Sequence, residues 1–434
     1  MIAQIGHRLK VEKSDRVRTT SFAGLPLLTE LAHRTGLIAE LNAIPGLWKR
    51  DGRYGTADYL MSLALTLTAG GEGLDDTRVL RHDGGLGQLV LPDMPAANSQ
   101  GDFLRRFARR SLHKLGGAVT GLAVKNILPG QTLTLDMDSS LIESDKEMAK
   151  RTYEGFRGYN PMLAWLAEPG VFLAGLFRDG NASPQSHLRS LLRYCLRRLP
   201  AGVKLRLRSD SAGYRLDLIE ECHKRGIEFA IRADLDAGVR EAIENIPETA
   251  WRLVVRGEDV FLLAETIHVP GAGNNHYNLP AFRLIVTRRT GQLELFKDPI
   301  RHLATLISLP ESFTTEQALD FYNGRGSAEK AIGELKNGFG LHGLPCADLN
   351  ANAAYFQTCL LAYNLAQTFK LVALPLSWRS LAIKNLRFRL LCRAALVIRH
   401  ARRLTLKVFN GFPFFEIFER ARWAVLSPLP ASAG

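Results

Sequence analysis

Residues 322–336 read YNGRGSAEKAIGELK, and the interpretation of the whole chain turns on them. Tyr322, Arg325, Glu329 and Lys336 follow one another at steps of 3, 4 and 7. On a helix of about 100° per residue they fall near ~0°, ~−60°, ~−20° and ~−40°. A continuous helix would therefore carry all four on one face. A carboxylate there can hold a divalent metal, and Arg and Lys can clamp a phosphate. A solvated helix face with one Glu–Lys pair would look the same. Gly324 and Gly326 interrupt the pattern. They predict that Tyr322 ends one helix and that Ser327 caps the next.

Other acids stand in strand-like stretches of the chain. Upstream, QTLTLDMDSS (131–140) alternates strictly. Leu133, Leu135 and Met137 point one way, and Thr134, Asp136 and Asp138 the other, so one strand carries two carboxylates off one face. Residues 159–167 (YNPMLAWLA) and 171–177 (VFLAGLF) predict two more strands around a Pro169–Gly170 turn. Ser183 as N-cap and Pro184 at N1 predict a helix with Leu188, Leu191, Leu192, Cys195 and Leu199 buried, stopped by Pro200. VKLRLRSD (203–210) is then a strand ending in Asp210, with Val203, Leu205 and Leu207 inward and Arg206, Arg208 and Asp210 outward. A helix, LDLIEECHKR, closed by Gly226, leads to the strand IEFAIRAD. The order is three strands, helix, strand, helix, strand.

The Tyr–Arg–Glu–Lys spacing resembles the YREK signature of bacterial insertion-sequence DDE transposases of the cut-and-paste type. Asp138 before Ser139 and Ser140 is similar to that family's first acidic motif, and Asp210 in RSDSAGY to its second. The likeness covers roughly residues 130–365. It implies an α/β fold with an RNase H-like core: a mixed sheet flanked by helices. A β-rich insertion, an N-terminal helical domain and a C-terminal helical region complete the expected architecture. It also implies Asp138, Asp210 and Glu329 as catalytic metal ligands, with Asp136 as second choice for the first. They would hold two Mg²⁺ ions, with Mn²⁺ as a substitute. Arg325, Lys336 and Tyr322 would contact DNA phosphates. Trp251 is a candidate to stack on a flipped base, against ordinary core packing. The separations are 72 residues from Asp138 to Asp210 and 119 from Asp210 to Glu329.

The rest of the chain is organised around this core. The expected divisions are a helical DNA-binding domain over 1–125, the first part of the catalytic core over 130–235 and a β-rich insertion over 236–313. The core resumes over 314–365, and a basic helical region spans 366–434. In the first, LLTELAHRTGLIAELN, TADYLMSLALTLTAGG and TRVLRHD predict helices. Ser99 is expected to cap GDFLRRFARRSLHKL, whose Arg105, Arg106, Arg109, Arg110 and Lys114 form a basic face. The insertion predicts four strands: WRLVVRG, DVFLLAETIHV, AFRLIVTRRT and QLELFKD. Thr314 with Gln317 forms a capping box, and the chain from Gly340 to Leu371 predicts a loop and a long buried helix. From Trp378 to Lys407 nine Lys or Arg residues occur without an acid, which predicts a basic helical stripe.

Composition fits a nucleic-acid partner. The 434 residues hold 56 Lys plus Arg against 43 Asp plus Glu, a net charge of +13 that favours polyanions. Five cysteines without a CxxC argue against a disulfide framework or zinc site and for a reducing cytosol. Residues 1–10 lack a signal-peptide apolar run. The longest apolar stretches are short or broken by polar residues, so no membrane partner is expected. No GxxxxGK[ST] and no HExxH occurs. The expected location is the bacterial cytoplasm, at the nucleoid.

The resemblance implies a transposase that binds the inverted-repeat ends of its own insertion sequence, cleaves them and joins the 3′-OH ends to target DNA. A homodimer would bring two ends together. A DNA-binding repressor without catalysis and a nuclease that cuts without joining are the alternatives. Paired strand-end acids also occur in glycosidases.

Overall fold

The computed structural model describes residues 18–48, 52–274, 276–290, 300–401, 403–409 and 411–427. Its centre is the strand β1 (Thr132–Ser139), whose alternation buries Leu133, Leu135 and Met137 on one face. A meander follows. β2 (Met162–Leu166) pairs antiparallel with β1, and β3 (Val171–Leu176) pairs antiparallel with β2. β4 (Lys204–Ser209) joins the other side of β1 in parallel, and β5 (Glu228–Arg232) lies parallel to β4. Helices α2 (Leu188–Leu196) and α3 (Leu216–Lys224) make the crossovers. This is the order and polarity of an RNase H-like sheet, as expected.

The β-rich segment does not stand apart from this sheet. β6 (Arg252–Arg256), β7 (Asp259–His268), β8 (Phe282–Thr290) and β9 (Ile300–Ile307) run antiparallel in turn, and β9 pairs with β5 through Leu306 and Ile231. One sheet of nine strands results, ordered β6-β7-β8-β9-β5-β4-β1-β2-β3. The strand expected over QLELFKD lies outside the described residues; β9 follows it.

Both faces of the sheet are covered. On one face α2 and α3 bury Leu188, Leu191, Leu192, Cys195, Leu218, Ile219 and Cys222 against Leu135, Met137, Leu205 and Leu207. The other face is split. Helix α4 (Thr315–Asn323) packs Ala318, Leu319 and Tyr322 on Ala230, Ile285 and Ile307. Its start is fixed by the Thr314–Gln317 capping box, a motif worth about 1 kcal/mol. The long α6 (Leu349–Ala373) is buried nearly all round, because helix Thr56–Ala69, α1 (Arg109–Val124) and the sheet enclose it. Among described residues no helix is long and apolar enough to cross a membrane.

Several local expectations are corrected. Ser99 lies inside a helix, Ala97–Leu104, and does not cap it. The helix then breaks, because Phe107 turns into an aromatic cluster with Phe103, which itself stacks on Trp48 and Tyr59. The basic face is divided accordingly, with Arg109, Arg110 and Lys114 on α1. Ser183 and Pro184 do not open α2. The buried Arg178 guanidinium binds the carbonyls of Ser183 and Ser186, and α2 starts only after His187 at φ 71°. In the C-terminal region, residues expected to be helical form a hairpin, β10 (Ala395–His400) and β11 (Arg403–Val408), with Thr19–Thr20 as a third strand. Alternating burial of Ala395 and Val397 accounts for it. Arg402 of the basic stretch, and residues 1–17 and 431–434, lie outside the described residues.

Candidate active site

The first two carboxylates are placed by strand register. Asp136 lies opposite Arg208 and Met137 opposite Ser209 in the parallel β1–β4 pair. Continued by one residue, that register sets Asp138 beside Asp210. Asp138 is the last acid in the alternation of β1 and is largely covered, its side chain 16% accessible. Asp210 leaves β4 at a tight turn, where its Oδ1 accepts a hydrogen bond from the Ala212 amide at 3.1 Å.

The third carboxylate arrives on α5 (Gly326–Gly338), whose buried stripe is Ala328, Ala331, Ile332 and Leu335. Glu329 therefore lies on the open side. The break expected at the two glycines is present: α4 ends at Asn323 and α5 begins at Gly326. Ser327 is not the cap, however. Arg325 holds that position, and the Ser327 hydroxyl donates back to the Gly324 carbonyl at 2.6 Å.

Arg325 gathers the three acids. Its Nη2 is 2.9 Å from Asp138 Oδ2 and 3.9 Å from Asp210 Oδ2, and its Nη1 is 2.6 Å from Glu329 Oε1. Burial lowers the basicity of the guanidinium, but the surrounding carboxylates outweigh it and hold the group above its ordinary value. Asp138 is pushed up to about 6 by burial, with Arg325 opposing and Asp210 adding to the rise. Lys336 reaches back from the last turn of α5 and donates to the Leu141 carbonyl at 2.7 Å, just beyond the end of β1. Burial lowers its ammonium; Asp138 and Glu154 pull the other way. Tyr322 is mostly buried, in the small core under α4, with Arg232 stacked 4.6 Å from its ring centre.

Asp136 is placed differently from Asp138. Both its oxygens are taken by Arg208, Nε to Oδ1 at 2.7 Å and Nη2 to Oδ2 at 2.6 Å, and its side chain is 1% accessible. Burial pushes it up to about 6 against the pull of Arg208. Each of its oxygens thus already accepts from Arg208 within the fold. Arg208 itself, which period-two reading turns outward, is buried beneath α4 and also donates to the Phe321 carbonyl at 2.9 Å. The signal for it was present: Arg208 precedes Asp210 by two residues, as Asp136 precedes Asp138. Trp251 stands elsewhere. It packs on the core that holds Leu135 and Met137, the face of β1 opposite the acids, beneath Arg288 at 4.2 Å. Arg387 of the basic tail spends its donors on the carbonyls of Leu67, Thr68 and Gly338.

The donor set is three carboxylates around a single cation, all oxygen, with more negative charge than Arg325 balances. That chemistry fits a hard divalent ion. As the side chains are placed, no three His, Cys, Asp or Glu groups among the described residues converge closely enough to hold one, since the guanidinium lies between them.

The family model described as transposase DDE domain group 1 matches residues 5–430. No curated protein matches the chain in sequence. Among solved structures, the piggyBac transposase synaptic complex with hairpin DNA is similar at 12% identity and a TM-score of 0.46, over 85% of this chain and 80% of that one.

Proposed function

Since the chain belongs to the DDE transposase family, matched over residues 5–430, we propose that it binds the inverted-repeat ends of its own insertion sequence and cuts and joins them. The reaction is phosphodiester hydrolysis at the element end. Water adds to phosphorus and the bond to the 3′ oxygen breaks, leaving the phosphate on the 5′ end of the other fragment; the freed 3′-OH then attacks a target phosphorus and displaces the 3′ oxygen of the target strand. Asp138, Asp210 and Glu329 are the residues that would hold two Mg²⁺ ions, with Mn²⁺ able to replace them. Such ions supply Lewis acidity at both the attacking and departing oxygens.

The chain's own side chains do the rest. Arg325 has donors to offer a scissile phosphate once they leave the carboxylates. Lys336, held beside the end of β1, sets a second positive charge at that position. Tyr322 would position the DNA backbone through its hydroxyl. Arg109, Arg110 and Lys114 on α1 and the exposed cations of the C-terminal hairpin supply sequence-independent backbone contacts. Two copies would bring two ends together, in the bacterial cytoplasm.

The observation that supports this reading most is the convergence of Asp138, Asp210 and Glu329 on the Arg325 guanidinium, from three separate elements. The test is cleavage of a DNA fragment carrying one flanking end, with Mg²⁺, by wild type and Glu329→Ala. Metal-dependent cutting by wild type alone, with end binding retained by both, supports it. Binding without cutting by either favours a DNA-binding repressor. Equal cutting by both removes this site. Cut ends without strand-transfer products would make the protein a nuclease.

A further inference from the structure

Behind the three acids lies a second layer that the reaction does not touch. Asp136 sits two residues before Asp138 on β1, and Arg208 two residues before Asp210 on β4, directly opposite one another in register. Phe321, whose carbonyl accepts from Arg208 Nη1 at 2.9 Å, sits just before the junction that carries Arg325 and Glu329. One guanidinium, carried on β4 with Asp210 just beyond it, thus reaches β1 at Asp136 and the C-terminal end of α4 at Phe321, three residues before the Gly324 that leads into α5. It is also stacked 5.2 Å from the Phe321 ring centre. Arg208 is 5% exposed and Asp136 2%.

The junction is fitted to this guanidinium. A Cβ on Gly324 would collide with Arg208 Nη1 and lie 3.2 Å from the Phe321 carbonyl oxygen. The end of a free arginine could swing aside, but this one is fixed by two hydrogen bonds to Asp136. Gly324 is not in the left-handed region, at φ −56°, so closeness, not backbone freedom, calls for glycine.

We propose that Arg208, held by Asp136 and covered by Gly324, is a positioning residue that sets Glu329 and Arg325 against Asp138 and Asp210. This rests on the reading that those three acids form the cleavage site. A buried bidentate pair is a poor source of stability but a good spacer, because its geometry tolerates little displacement. Misplacement of a catalytic group by ~1 Å can cost on the order of 100-fold in rate.

The experiment compares wild type with Arg208→Met, Arg208→Lys and Gly324→Ala. Four quantities are read: affinity for the end fragment, single-turnover cleavage, Mn²⁺ affinity without DNA, and amide exchange over residues 321–330. The expected result for Arg208→Met is a cleavage rate lower by on the order of 100-fold, with end affinity within about threefold of wild type. Mn²⁺ binding weakens by about tenfold or more, and exchange over 321–330 speeds up while distant peptides are unchanged. Arg208→Lys recovers part of the rate, because it restores charge without the fork. Gly324→Ala leaves the ion pair in place and shifts only the junction, so it reproduces the rate loss even if Arg208→Met does not fold. Unchanged rate and exchange in a folded Arg208→Met or Gly324→Ala overturns the proposal. So does weakened end binding at an unchanged rate, which would make Arg208 a DNA contact. If wild type itself neither cuts nor binds Mn²⁺, the cleavage reading fails, and exchange over 321–330 still decides whether Arg208 positions the junction.

Discussion

The Arg325 guanidinium stands between Asp138 and Glu329, 2.9 Å from an oxygen of the first and 2.6 Å from an oxygen of the second. Asp138 is held on the central strand of the sheet and Glu329 on a helix 191 residues later, so one side chain joins the sheet to the signature helix. Its charge is what lets three acids share this corner.

Removing that charge has a pH-dependent cost. In Arg325→Ala the carboxylates face one another without a cation, and Asp138 is already biased toward its neutral form by burial. A loss of about 2–4 kcal/mol is expected at pH 7. At pH 5 the loss shrinks, because Asp138 takes a proton and the repulsion falls. Urea unfolding of wild type and variant at the two pH values measures this. Equal losses at both would mean that Arg325 contributes packing alone.

Asp138→Asn separates stability from activity. The folded carboxyl is raised from 3.8 to about 6, so its ionised form is the disfavoured one. Stability from this group is greatest below the unfolded value and is lost as pH rises through about 6. Asparagine carries no such penalty. The variant is expected to be more stable than wild type by about 1–3 kcal/mol above pH 6, with no difference below 3.8. Cleavage should fall by on the order of 10³-fold or more, with end binding kept. A variant that is both inactive and less stable at pH 7 would show that Asp138 is a structural anchor.

The strands, and the face each acid occupies, were readable because alternation has a period of two. Leu133, Leu135 and Met137 against Asp136 and Asp138 is such a pattern, and so is Leu205 and Leu207 against Arg208 and Asp210. Alternation separates two faces without saying that both are covered. Arg208 was therefore read as outward, although α4 closes over it. The pairing of β9 with β5 joins residues some 75 positions apart, and no local pattern carries that information. The break between α4 and α5 was visible as two glycines. Why the first must be glycine was not, since that depends on a guanidinium 116 residues upstream. Trp251 could be read either way, as aromatic residues serve both cores and DNA bases.

For Trp251 the packing decides the expectation. Its ring lies under Arg288 and beside His302, and Arg288 is held in turn by a two-point pair with Glu248. Trp251→Ala should cost about 2–4 kcal/mol of stability. The cleavage rate of the folded variant should stay within about threefold of wild type. Thermal unfolding and single-turnover cleavage below the transition would check both. A large rate loss at unchanged stability would return Trp251 to the DNA interface.

A last prediction concerns acid stability, far from the acids of the site. Glu221 on α3 is buried under three arginines, with Arg193 at 2.6 Å, Arg225 at 2.5 Å and Arg189 at 3.1 Å. The Arg193 hydrogen bond is the main reason that its carboxyl is lowered from 4.5 to about 2, against the opposing effect of burial. The sign is opposite to that of Asp138. The stabilisation is complete above the unfolded value and is lost as pH falls through about 2. It locks α3 to α2 across the crossover that delivers β4 and β5 to the sheet. Glu221→Gln should lower stability at pH 7 by about 2–3 kcal/mol and flatten the wild-type loss between pH 4.5 and 2. Urea midpoints of the two proteins across that range should converge at the acid end. Parallel curves would mean that the three arginines hold Glu221 no more strongly in the fold than water does in the unfolded chain.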